Sequence, residues 1–250
     1  RLGAMIYGEN TSEHFQLNED SVWFGGKRNR NNKDALAHLE EIRSLILSGN
    51  ISKAEELCKY ALTGTPQSEH TYQMGRGTWS WILWQDNSIN YDDQVKYIDL
   101  ASAMGYEYVL VDNWWDTYIG RERIAELVKY ANSKNVDVFL WYSSSGYWND
   151  IEQGPINCMS NSIVRKREMK WLQSIGVKGM KVDFFGGDKQ ITMQHYEEIL
   201  SDADDHGLMV IFHGCTLPRG REPMYPNYVG SAAVLASENL SFGQHAGNME

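Results

Sequence analysis

From Thr78 onward, short apolar runs alternate with amphipathic stretches of roughly a dozen residues, and this rhythm constrains the fold more than any other feature of the chain. The apolar runs occupy 79–84, 106–111, 136–142, 179–185, 208–213 and 234–238. Between them lie 91–104, 121–134, 162–175 and 190–206, each with apolar residues at helical spacing. Near-continuous apolar strands separated by helices predict a parallel sheet buried on both faces, with right-handed crossovers. Two architectures satisfy that pattern, a doubly wound open sheet and a (β/α)8-type barrel. No glycine-rich dinucleotide fingerprint follows any run, and Gly75-Arg76-Gly77 precedes the first one. The runs end instead in polar and aromatic groups: Trp84-Gln85-Asp86-Asn87, Asp112-Asn113-Trp114-Trp115, Trp141-Tyr142-Ser143, Lys181-Val182-Asp183, His213-Gly214-Cys215 and Ser237-Glu238-Asn239. Barrel enzymes carry their chemistry at the C-terminal strand ends, so a ring of such ends favours the α/β barrel. Six strands are visible where a closed barrel needs eight. The expectation is therefore an incomplete (β/α)8-type barrel that continues past Glu250, and the start at Arg1 likewise reads as that of a fragment.

Residues 1–73 have a different texture, loop, then helices, then loop. A strand is expected at 1–7, and a helix at 34–47, where Leu36, Leu39, Ile42, Leu45 and Ile46 recur at helical spacing before Gly49. A second helix is expected at 52–62, opened by the capping-box pair Ser52 and Glu55. Gly64 and Pro66 then break the chain. The expected division is a segment 1–73 followed by a partial catalytic barrel 74–250.

Composition narrows the function classes. A hydrophobic share of 42% supports a real core. A formal net charge of -10 argues against nucleic acid, whose phosphates need a basic surface. No apolar run approaches the ~18 residues of a membrane span. Cys58, Cys158 and Cys215 are odd in number and widely spaced, which fits neither a disulfide framework nor a zinc motif. Nine Trp and fourteen Tyr, many at predicted strand ends, suit a surface that stacks on sugars.

Asp183 is the candidate centre of the chemistry. Lys181 stands two residues before it, so on a strand both side chains share one face, and the cation favours an ionised carboxylate. Glu238 ends another predicted strand, and two carboxylates at one barrel mouth suit a glycosidase that uses one as nucleophile and one as acid/base. The competing reading makes each a helix-capping or surface acid. Asp112, Asn113 and His213 are candidate partners for sugar hydroxyls. Trp84, Trp114, Trp115, Trp141 and Trp148 are candidate stacking residues, each with core packing as its alternative. His195 and His206 are expected on the surface of a helix. Lys181 as the base of a barrel lyase or isomerase is a further reading.

At these residues the chain resembles a known family. Gly77-Thr78-Trp79-Ser80-Trp81, Val111-Asp112-Asn113-Trp114, the segment Gly176 to Phe185, His213 to Gly220 and Tyr225-Pro226-Asn227 look like the catalytic barrel of glycoside hydrolase family 97. The resemblance covers about 74–250. It implies a retaining, exo-acting α-galactosidase-type enzyme, because the retaining branch carries the strand-end aspartate found here as Asp183. By that resemblance Asp183 attacks the anomeric carbon, Glu238 serves as acid/base, and Lys181, Asp112, Asn113 and His213 hold the sugar. The family also implies calcium, but Ala232 occupies the position, six residues before Glu238, where a glutamate ligand commonly stands. The first segment resembles another family. Gln16 to Trp23, Arg30-Asn31-Asn32 and Gly64 to Ser68 look like the N-terminal region of glycoside hydrolase family 95, the α-L-fucosidases. The chain thus reads as two incomplete hydrolases joined near 72–75, and the alternative to an active glycosidase is a remnant that at most binds carbohydrate. An oligosaccharide or α-galactoside partner, self-association through open barrel edges and a bacterial periplasmic or extracellular location complete the expectations.

Overall fold

The computed structural model describes residues 23–24, 27–28, 33–54, 68, 70–146, 150–187, 189–218, 221–222 and 224–234. The chain divides into two compact units, 1–69 with 219–226, and 70–218 with 227–250. The first unit contains a two-residue antiparallel pair, β1 (Trp23–Phe24) with β2 (Lys27–Arg28), and helix α1 (Lys33–Leu47). Gly49, at φ 76°, follows the helix in the left-handed conformation that glycine adopts without a Cβ penalty. The expected strand at 1–7 and most of the helix at 52–62 fall outside the described residues.

The second unit is a six-stranded sheet with strand order β3-β4-β5-β6-β7-β8, every pair parallel. The strands are β3 (Gly77–Trp79), β4 (Tyr108–Val111), β5 (Asp137–Ser143), β6 (Gly179–Asp183), β7 (Met209–His213) and β8 (Tyr228–Ala232). Spatial order equals chain order. A doubly wound sheet reverses direction at a switch point, and none occurs here, so the right-handed crossovers place the helices on one face. The result is a curled half-barrel.

The helices that follow β3, β4, β5 and β6 are α3 (Tyr91–Met104), α5 (Arg121–Ser133), α6 (Ser162–Ile175) and α7 (Gln190–Asp204), with a single turn, α4 (Trp115–Tyr118), between β4 and α5. Local chemistry sets their ends. Asn90 accepts from the Asp93 N–H at 2.9 Å, and Gly105 closes the same helix at φ 65°. Asn161 caps α6 through the Ile163 and Val164 N–H groups, and Gly176 closes it at φ 89°. Each helix buries one stripe, as Ile124, Leu127, Val128 and Ala131 do on α5. The strands bury both faces, with Val138, Leu140, Met180, Val182, Val210 and Phe212 shielded from solvent.

Two strands depart from the sequence expectation. The apolar run 79–84 is not a strand: pairing with β4 stops at Trp79, Ser80 turns to φ −68°, ψ −35°, and Trp81–Trp84 forms a helical turn, α2. Leu83 there is 72% exposed and Trp84 47% exposed, so that run stays partly wet and does not line a barrel core. The last strand among the described residues lies before the expected 234–238, of which only Val234 is described. Tyr228–Ala232 pairs with β7, while Val234 is a 72%-exposed bend residue. Its start is fixed by Asn227, which is buried and donates from Nδ2 to the Leu200 and Leu208 carbonyls at 2.9 and 3.2 Å. Glu238 lies outside the described residues. Among those residues no helix is long and apolar enough to cross a membrane.

Candidate active site

The strand register carries side chains from β3 to β7 to one end of the half-barrel. Ser143 pairs with Asp183 across β5 and β6, Trp141 pairs with Lys181, and Val182 pairs with Phe212 one residue before Asp183 and His213. Asp183 is buried, and four groups surround its carboxylate. Trp141 donates from Nε1 to Oδ2 at 3.0 Å, and the Phe184 N–H donates to Oδ1 at 2.7 Å. His213 Nδ1 lies 2.9 Å from Oδ2, and Lys181 Nζ lies 3.9 Å from it. Burial alone would push this carboxyl up. The His213 contact and charge, the Lys181 charge and the Trp141 bond outweigh it, so the acid is held below its ordinary value of 3.8. A buried carboxylate kept ionised by its surroundings has the electronic state that a nucleophile or a charge stabiliser needs.

Lys181 also donates to Asp112 Oδ2 at 2.9 Å and stands 4.3 Å above the Trp79 ring. Asp112 takes the Trp79 Nε1–H on the same oxygen at 2.6 Å and the Asn113 N–H on Oδ1 at 2.8 Å. Asp112, Lys181 and Asp183 therefore form one buried chain of alternating charge, with each carboxylate also held by an indole N–H. Asn113 is buried beside it and donates from Nδ2 to Asp86 Oδ1 at 3.0 Å.

The backbone at the site is specialised. Phe184 and Trp114 sit at φ 66° and 65°, a region that bulky residues enter at a cost of about 1–3 kcal/mol, and both lie next to site residues. Gly214, at φ 51°, brings its backbone against the carboxylate: a Cβ there would stand 2.9 Å from Asp183 Oδ1. The backbone after β7 thus forms one wall of the Asp183 niche.

The candidates separate into those the fold gathers and those it does not. Lys181, Asp183, Asp112, Asn113, His213 and Trp141 converge. Trp141 is 1% exposed and works as a donor to Asp183, so it offers no open face for stacking. Trp115 is core, fully buried and bonded to the Trp141 carbonyl at 2.8 Å. Trp84 packs edge-on against Tyr97 on its helical turn rather than at a strand end. Trp114 stacks on Tyr118, which is 56% exposed, and so remains a candidate platform. Trp148 and Glu238 lie outside the described residues. Two expectations of surface histidines fail. His195 is half-buried, with Nε2 3.1 Å from the Ser144 carbonyl and a pKa lowered chiefly by burial, and His206 lies beyond the helix, tucked against the Asp202 carbonyl at 2.7 Å.

Sequence reasoning missed Trp79, Trp81 and Asp86 as members of the cluster. Trp79 and Trp81 stack at 5.7 Å, and their indole N–H groups reach Asp112 and Asp86 respectively. Their signal lies in the segment 79–86, which the expectation of one strand over 79–84 obscures. Of the two thiols among the described residues, burial pushes Cys158 up to about 12 and Cys215 up to about 11, which disfavours the thiolate a nucleophile needs. No three His, Cys, Asp or Glu side chains among the described residues gather as metal ligands, and Ala232 places a methyl at the end of β8.

Comparison with known proteins identifies the family and the fold. The family model for Glycoside hydrolase 97 matches residues 71–234, and one for the Glycosyl hydrolase family 65 N-terminal domain matches 1–105. The second match extends past the expected division near 73 and carries a different family number from the resemblance noted for that segment. A probable retaining alpha-galactosidase of Streptomyces bingchenggensis is 29% identical over 184 residues, covering 68% of this chain and 27% of that protein. A retaining alpha-galactosidase of Bacteroides thetaiotaomicron is 29% identical over 185 residues, covering 67% and 26%. The chain therefore spans about a quarter of the length of the curated relatives it matches. Among solved structures, a beta-arabinopyranosidase is 78% identical over 72% of this chain and 28% of its own, with a TM-score of 0.70. A glycoside hydrolase family 97 enzyme from Pseudoalteromonas sp. strain K8, 17% identical with a TM-score of 0.56 over 68% of this chain and 31% of its own, shares the fold. With its match spanning 71–234, well over half of its length, this chain belongs to glycoside hydrolase family 97.

Proposed function

We propose that the chain carries the nucleophile half of a retaining exo-glycosidase. The substrate we assign is a terminal α-D-galactopyranoside or its counterpart without C6, a β-L-arabinopyranoside. The observation that carries this reading is Asp183: a buried strand-end carboxylate whose pKa is lowered by His213, Lys181 and Trp141 despite desolvation. The two sugars have the same configuration from C1 to C4 and differ only in the hydroxymethyl on C5. The family relatives bracket that difference, two being called alpha-galactosidases and the 78%-identical structure a beta-arabinopyranosidase.

In the proposed first step Asp183 attacks the anomeric carbon while Glu238 gives a proton to the leaving oxygen. In the second step Glu238 takes a proton from water, which displaces Asp183 with overall retention. The Trp141 N–H and the Phe184 N–H keep the carboxylate aimed, while Lys181, Asp112, Asn113 and His213 bind ring hydroxyls. Retention calls for carboxyl groups ~5–5.5 Å apart, against ~6.5–9.5 Å for inversion.

The test is hydrolysis of p-nitrophenyl α-D-galactopyranoside and β-L-arabinopyranoside by the wild type and by Asp183→Ala. Turnover should vanish in the variant and return in part with azide, giving the azide adduct of inverted configuration. Unchanged turnover in Asp183→Ala removes the nucleophile assignment. Sugar binding without any wild-type turnover points instead to a carbohydrate-binding chain.

A further inference from the structure

Asp86 belongs to no strand. It sits in the 3-10 turn Gln85–Ser88 after α2 and is exposed. Exposed aspartates ordinarily contribute little, yet two side chains converge on one oxygen of this one. Trp81 donates from Nε1 to Oδ1 at 2.8 Å, and Asn113 donates from Nδ2 to the same oxygen at 3.0 Å. No protein group among the described residues bonds Oδ2.

A carboxylate can only accept, so Asn113 must turn its NH2 toward Asp86 and its carbonyl oxygen the other way. Asn113 is 5% exposed as a residue; its Oδ1 takes no protein donor among the described residues and is not sealed from solvent. A solvent-accessible amide oxygen in that state is open to a donor from outside the protein. The Asn113 N–H bonds Asp112 Oδ1 at 2.8 Å, and Asp112 leads through Lys181 to Asp183. The open acceptor therefore stands beside the charged chain of the site. Trp81 completes the arrangement by stacking on Trp79 with an interplanar angle of 14°. The two stacked indoles anchor on different carboxylates, Trp79 on Asp112 and Trp81 on Asp86.

We propose that Asp86 is a positioning residue that fixes the polarity of Asn113, so that the site accepts a hydrogen bond from a hydroxyl of a neutral pyranoside. The same carboxylate holds Trp81 in the stack. This inference rests on the glycosidase reading above. Without Asp86 the amide is free to flip and present NH2, which removes the acceptor that the proton of a sugar hydroxyl would use.

The test compares Asp86→Ala, Asp86→Asn and the wild type on the two p-nitrophenyl glycosides, with amide and indole NMR on labelled protein. Asp86→Ala should raise KM about 10-fold, which is 1.4 kcal/mol, with kcat within about 3-fold and thermal stability nearly unchanged. Asp86→Asn keeps an acceptor oxygen for both donors and should restore KM to within about 3-fold. In the spectra, the Trp81 indole and Asn113 NH2 signals should move in Asp86→Ala, while the Trp115 indole, bonded to the Trp141 carbonyl, stays. An active wild type with KM unchanged in Asp86→Ala overturns the inference and leaves the glycosidase reading intact. A matching loss of stability and kcat makes Asp86 structural and overturns it as well. A wild type that neither hydrolyses nor binds either glycoside defeats the glycosidase reading and the sugar-binding part of the inference together. The NMR comparison still decides the positioning of Asn113, and unmoved signals overturn it.

Discussion

Lys181→Met tests the charge chain at its centre. Lys181, Asp112 and Asp183 have side chains only 5%, 4% and 6% exposed, and the ammonium stands 2.9 Å from one carboxylate and 3.9 Å from the other. Methionine keeps most of the stem and removes the charge, leaving two buried carboxylates to repel each other. Deleting one partner of a buried pair costs about 3–5 kcal/mol. Asp112 keeps the Trp79 and Asn113 N–H bonds, and Asp183 keeps Trp141, Phe184 and His213, so the loss falls near the lower bound, about 3 kcal/mol. At about 2–4 °C per kcal/mol for a protein of this size, Tm drops by roughly 6–12 °C. Adding Asp112→Asn removes the stranded charge, so the double variant should be more stable than the sum of the singles by about 1–3 kcal/mol. The assay is urea unfolding at pH 7, followed by far-UV circular dichroism. A loss below about 1 kcal/mol for Lys181→Met, or strict additivity with Asp112→Asn, refutes the claim that this ion chain is electrostatically coupled.

Three further outcomes follow from the same geometry. The Asp183 pKa is depressed in the fold, so its contribution to stability is present above the unfolded value near 3.9 and lost as pH falls through the folded value. Asp183→Asn should flatten the acid limb of the stability profile below about pH 4, and an unchanged limb counts against the depression. His195 is also depressed, chiefly by burial, so the unfolded chain takes up the proton first as pH falls below 6.5. His195→Gln should reduce the loss of stability on going from neutral pH to pH 5, measured by urea midpoints. Gly214→Ala places a methyl 2.9 Å from Asp183 Oδ1 and 3.4 Å from the Phe184 nitrogen at a backbone φ of 51°. Its expected effect is about 1–3 kcal/mol of destabilisation with kcat on an aryl galactoside reduced more than KM is raised, and wild-type kinetics would show that the β7 loop yields freely.

How much was legible in the sequence depended on whether the determining contact is local. The helices expected at 91–104 and 162–175 from apolar spacing match the structure to the residue, where Asn90, Gly105, Asn161 and Gly176 close their ends within one turn. The four strands from β4 to β7 are readable as apolar runs to within a residue or two. The first and last strands are not. Residues 79–84 are apolar but for Ser80, and only the pairing of Gly77–Trp79 with Tyr108–Leu110 decides where the strand stops and the turn begins. Tyr228–Ala232 contains Gly230 and Ser231 and has weak strand character of its own. It becomes a strand because the β7 edge offers unpaired backbone groups, and the Val210 N–H reaches the Asn227 carbonyl at 2.8 Å.

The sequence by itself determined the βα rhythm, the parallel sheet, and the placing of Lys181 and Asp183 on one face of one strand. Those follow from periodicities of two and 3.6 residues within a single element. Only the tertiary structure decided that the strands lie in chain order around a half-barrel, and that Trp79, Asp112, Trp141, Lys181, Asp183 and His213 meet there. The Lys181–Asp112 bond spans 69 positions of sequence and the Trp141–Asp183 bond 42, distances at which no local pattern carries information. Closing such loops depends on the register of adjacent strands, and that register is settled by side-chain packing across the whole sheet.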